Sequence, residues 1–155
     1  MKKAFIVLTV LLAVNQIITA QILDSFIADF AKSEGVETQN IDSQMLKMAA
    51  DSVDFGDSDT SDIVQNLKAI EVMTAKTPNA ALRNKSTDFI NSFTEDADYA
   101  TLVKAGEGNK KVLIVSGVTK KSLIILAVDD EIAIVKINGD FDLTDLSQIM
   151  NGVNM

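Results

Sequence analysis

The chain has 155 residues, 47% of them hydrophobic, with seven glycines, one proline, no cysteine and no histidine. That apolar content exceeds what disordered chains carry, and the length suits one domain. The formal charge of −8 opposes binding to phosphate backbones and anionic lipid, so nucleic acid is not an expected partner. Without histidine or cysteine there can be no His-dependent triad, no imidazole- or thiolate-ligated metal and no disulfide.

The N-terminus has the layout of an export signal. Met1-Lys2-Lys3 is a basic start, and Ala4 to Val14 is an unbroken apolar run of eleven residues. Ile18-Thr19-Ala20 then offers small residues for cleavage between Ala20 and Gln21. A spanning helix needs about 20 apolar residues, so the run is short for an anchor. With no cysteine to carry a lipid, no stable membrane anchor is expected after cleavage. The expected organisation is a signal peptide at 1–20 and one domain at 21–155. Removing Lys2 and Lys3 leaves 12 basic and 22 acidic residues, a net charge of −10.

Along the mature chain, Ile22, Leu23, Phe26, Ile27 and Phe30 fall on one face of a helix that ends at Gly35. Val36 to Ile41 reads as a short strand. Asp42 or Ser43 then caps a helix expected to turn Met45, Leu46, Met48 and Ala49 inward. Residues 51–61 read as a polar loop. Asp62 and Gln65 have capping-box spacing, with Ile63, Leu67 and Ile70 as a helical stripe behind them. The chain from Ala69 to Ala75 reads as a strand. Thr77-Pro78 is a helix start, with Leu82, Phe89, Ile90 and Phe93 on the buried face.

From Tyr99 the period changes to that of strands. Tyr99–Ala105, Val112–Val118, Ser122–Asp129 and Ile132–Asn138 read as four strands joined by short turns. Val112–Val115 and Leu123–Val128 are apolar at every position, which places them centrally with both faces covered. The connections are too short for crossover helices, so the meander is antiparallel. Asp142 caps a last helix carrying Leu143, Leu146, Ile149 and Met150. The fold class is α+β: an antiparallel sheet, with a four-strand C-terminal meander and one or two further strands, packed with four to five helices.

Each candidate chemical constellation has a plainer explanation. Residues 51–62 hold five aspartates, and Asp57-Ser58-Asp59-Thr60-Ser61 imitates the first positions of a calcium loop. The sixth position needs glycine and is Asp62, and the twelfth needs glutamate and is Lys68. Glu95, Asp96 and Asp98 could supply paired carboxylates, but acids at a helix-to-strand junction are usually a solvated turn. Lys110-Lys111 and Lys120-Lys121 flank opposite ends of one strand, without aromatic residues between them for base stacking. Gly106-Glu107-Gly108 is a turn rather than a phosphate loop, since no helix follows it. Met45, Met48 and Met73 read as core filling. No catalytic residue, metal ligand or cofactor site is expected.

Two stretches resemble a known family. Phe26, Phe30 and Gly35-Val36 followed by Ser43-x-Met45-Leu46-Lys47-Met48 is similar to the start of an exported Bacteroidota family, domain of unknown function 4252. So is the ending Asp129-Asp130-Glu131, then Ile137-x-Gly139-x-Phe141-Asp142-Leu143-x-Asp145-Leu146. The resemblance implies a small envelope protein, often encoded near regulators of envelope responses, and brings no catalytic residue with it. Many relatives are lipoproteins, and this chain departs from them in lacking the cysteine. The expected function is a non-enzymatic periplasmic or secreted protein that binds an envelope protein. The alternative is a hydrolase using only carboxylates or hydroxyls.

Overall fold

The computed structural model describes residues 22–52, 65–95, 98–118 and 121–140. The expected signal and cleavage pair Ala20–Gln21, the acidic loop after Ser52, the Asp62 cap and the helix after Asp142 lie outside these residues.

Helix α1 spans residues 22–31 and forms where the apolar stripe demands it. Leu23, Phe26, Ile27 and Phe30 are buried, whereas Ile22 at the first turn is half exposed. The helix closes as the Ser33 N–H donates to the Phe30 carbonyl, and Gly35 takes φ +80° to turn the chain into strand β1 (Val36–Asp42). The Asp42 carboxylate accepts the Met45 N–H at 2.9 Å and so caps α2 (Ser43–Ser52). Only Leu46 of the expected inward face is buried in α2. Met45 and Met48 are 49% and 58% exposed, because α2 lies against β1 and β2 and none of the other described elements covers its far side.

Strand β2 runs Leu67–Ala75. Leu67 and Ile70 therefore belong to a strand, not to a helical stripe behind Asp62; the β-branched run and pairing on both sides outweigh a spacing of three residues. Helix α3 (Ala80–Ser92) begins two residues later than Thr77-Pro78 suggests. Its cap is Asn79, whose side-chain oxygen accepts the Leu82 N–H at 2.8 Å. Arg83 reaches from α3 to the carbonyls of Asp129 and Asp130, tying the helix to a hairpin turn.

The remaining strands are β3 (Tyr99–Glu107), β4 (Lys110–Gly117), β5 (Ser122–Val128) and β6 (Ile132–Gly139). At the β3–β4 turn only glycine fits position 106: its φ is +136°, and an added Cβ would stand 2.1 Å from the Lys110 carbonyl oxygen. All six strands form one antiparallel sheet in the order β1-β2-β6-β5-β4-β3. The class is α+β with an antiparallel sheet. It differs in detail from a four-strand meander with appended strands and four to five helices. β2 crosses over to pair with β6, giving six strands in one sheet, and α1, α2 and α3 are the three helices of at least two turns among the described residues.

The strand register sorts side chains into two faces. On the first, Met73, Ile134, Leu126 and Leu113 stand side by side across β2, β6, β5 and β4, with Ala75, Ile132 and Val128 in the next row. Helices α1 and α3 close over these rows to make the main core. Between the helices Phe26 stacks on Phe89 at 4.1 Å and 10°. The second face carries a smaller cluster around Ile114 and Leu123, with Val103, Val112, Ile125 and Ile137 against it. This explains why β4 and β5 are apolar at nearly every position.

Candidate binding sites

Most of the sequence candidates have structural roles. Glu95 accepts the Thr101 N–H at 2.9 Å, and the Asp98 carbonyl accepts the Val118 N–H, so this junction is held by its own backbone. Lys110 and Lys121 pair with Asp129 and Asp140, at 3.4 and 3.2 Å, from opposite ends of the sheet. Lys68 also reaches Asp140, at 3.4 Å. Hydrogen bonding by Lys121 first, then by Lys68, with the charge of both, holds the Asp140 carboxyl below its ordinary range. Met73 is fully buried, as core filling requires. Among the described residues, no group of three acidic, histidine or cysteine side chains could hold a metal ion. Nor is any described helix long and apolar enough to cross a membrane.

Two other features have the geometry of binding sites. The first is the edge of the sheet. A sheet edge presents unpaired N–H and C=O groups, and folded proteins ordinarily blunt it with bulges, charge or inward-pointing lysine. At the β3 edge all these devices are present. The register slips between Thr101 and Val103, Glu95 caps the Thr101 N–H, and Lys104 bends over to donate to the carbonyls of Asn91 and Phe93 at 3.0 and 3.1 Å.

Among the described residues the β1 edge has no bulge and no inward-pointing lysine, and its charges, Glu37 and Asp42, lie near its two ends. β1 keeps unbroken register with β2 over all seven residues, from Val36 opposite Ala75 to Asp42 opposite Ala69. It contains no proline, and its middle, Thr38-Gln39-Asn40, is uncharged and exposed. Glu37 is occupied by Lys76 at 3.2 Å. Among the described residues no strand lies beyond β1. The run from Val36 to Ile41 was legible as a short strand, but which edge is blunted depends on the Glu95 and Lys104 side chains and on backbone carbonyls at the end of α3.

The second feature is a cavity of about 310 Å³ between α1 and the first sheet face. Its floor is the corner where that face turns polar: Glu71 on β2 stands opposite Lys136 on β6, and Asn138 on β6 opposite Ser122 on β5. Its roof is the side of α1 that turns away from α3, formed by Asp24, Ile27, Ala28 and Ala31. The two alanines are too short to fill the space. Met73 closes one wall, and Tyr99 lies across the mouth with its hydroxyl donating to Asp24 at 3.0 Å. Single charged residues inside the apolar strands Ala69–Ala75 and Ile132–Gly139 were the sequence signal for this site. Only the β2–β6 register brings them together.

A family model described as a domain of unknown function (DUF4252) matches residues 30–149. No curated protein and no solved structure matches the chain.

Proposed function

We propose that this chain, which belongs to the DUF4252 family of domains of unknown function, is exported and acts by binding an extended segment of another envelope protein along β1. The observation that carries the reading is the contrast between the two sheet edges: one is blunted three ways, the other is regular, uncharged at its centre and open. An added strand gains main-chain hydrogen bonds from such an edge, and alternate side chains supply specificity. β1 itself buries little, since Glu37 to Asn40 are all exposed, so a packing role does not account for it. Export rests on the basic start and short apolar run at the N-terminus, with cleavage between Ala20 and Gln21. Binding rather than turnover rests on the chain's lack of histidine and cysteine, which leaves few activatable bases or nucleophiles near neutral pH.

The test places a photo-crosslinking residue at Gln39 on β1 or at Leu102 on β3 and irradiates cells of the native host. One discrete adduct from position 39, absent from position 102, supports the reading. Adducts from both positions alike, or from position 102 alone, contradict it. An adduct with a second copy of the chain would replace the foreign partner with a homodimer. Hydrolysis of a glycan, ester or peptide panel by the purified protein would replace binding with catalysis.

A further inference from the structure

We infer that the cavity beneath α1 is a second, independent binding site, and that its ligand is a small zwitterion: an α-amino acid with an aliphatic side chain. Glu71 and Lys136 are direct cross-strand partners, and both are half-buried. Directly opposed side chains in an antiparallel pair have Cβ atoms about 4.5–5.5 Å apart, within easy reach of an ion pair. Yet the five ion pairs among the described residues all lie elsewhere, and Glu71 and Lys136 both line the hollow. A ligand that brings its own ammonium and carboxylate can pair with both side chains at once.

The rest of the lining fits the same ligand. Asp24 adds a second carboxylate on the roof, so an ammonium has an acceptor on either side, while Lys136 is the single cation for a carboxylate. Asn138 and Ser122 supply hydrogen-bonding groups on the floor beside it. Ile27, Ala28 and Ala31 of α1 give an apolar side for an aliphatic side chain. The volume stands at the small end of the roughly 300–1,000 Å³ of ligand pockets, which suits a compact molecule better than a sugar chain or a lipid.

Titration calorimetry of the mature chain with L-leucine, N-acetyl-L-leucine and L-leucinamide tests this. The acetylated form lacks the ammonium and the amide lacks the carboxylate. A hydrogen bond to a charged group contributes about 1.5–3 kcal/mol, so each blocked form should bind about tenfold weaker or worse. A dipeptide arm, alanyl-leucine, distinguishes a free amino acid from a short peptide, and should bind more weakly than leucine. Lys136→Met should erase the preference for leucine over leucinamide, and Glu71→Gln should weaken the preference over N-acetyl-leucine, with Asp24 retaining part of it. Ala28→Leu, at the exposed rim of the hollow, should narrow it and weaken binding without lowering the melting temperature. No saturable binding of leucine at millimolar concentration, or equal binding of all three forms by the wild-type chain, overturns the inference whether or not the variants fold.

Discussion

Phe26 carries the attachment of α1, and its removal should unseat the helix. The ring is buried, lies 4.1 Å from Phe89 in a stacked pair, and also meets Phe30 at 6.3 Å. Truncating a buried Phe to Ala costs about 3–5 kcal/mol, the lost transfer energy plus the cavity left behind. Against a typical domain stability of about 5–15 kcal/mol, Phe26→Ala should leave the domain marginal at room temperature. Phe26→Leu keeps most of the volume and should cost less, about 1.5 kcal/mol or under. The assay is urea unfolding followed by circular dichroism, with the slope checked for two-state behaviour. A double-mutant cycle with Phe89→Leu should return a coupling of about 0.5–1.5 kcal/mol for the stack. A loss below about 1 kcal/mol in Phe26→Ala, or zero coupling, would refute the reasoning that α1 is docked through this pair.

Other consequences follow from single contacts. Asn79→Ala should lower stability by about 1 kcal/mol by freeing the Leu82 N–H; an unchanged urea midpoint would move the cap elsewhere. Ser86 is fully buried in α3 with its hydroxyl unbonded, so Ser86→Ala should be neutral or stabilising, and a loss above about 1 kcal/mol would reveal a hidden partner. The Asp140 carboxyl is held low by Lys121 and then Lys68, so its support for the fold is complete above the unfolded aspartate pKa. That support fades as pH falls through the lowered folded value. An NMR titration should place its midpoint below the ordinary aspartate value, and Lys121→Met should raise it; no response to that substitution would dismiss the pair.

Legibility in the sequence follows the reach of each pattern. The stripe from Leu23 to Phe30 and the unbroken apolar runs in β4 and β5 are local signals of burial, and each corresponds to an element where it was expected. Met45 and Met48 misled because helical spacing shows that two residues share a face, not that anything covers that face. Leu67 and Ile70 misled because a short apolar run fits either period, and the pairing of β2 with β6 decided it. Thr77-Pro78 and Asn79 are competing caps within three residues, and helix propensity does not rank them. Both proposed binding sites depend on long-range register, which a single sequence does not display.

The most direct test of β1 as the docking edge is site-resolved hydrogen exchange on its seven amides, free and with the crosslink-identified partner bound. In β1 alternate N–H groups point to β2 and the others outward, so the free protein should show protected and fast amides in alternation. Binding should slow the fast set by at least about tenfold while leaving the β3 amides unchanged, and a proline at an outward position should abolish the effect without lowering the melting temperature. Protection that appears at β3 or on α2, with the outward amides of β1 still exchanging at their free rates, would contradict the account.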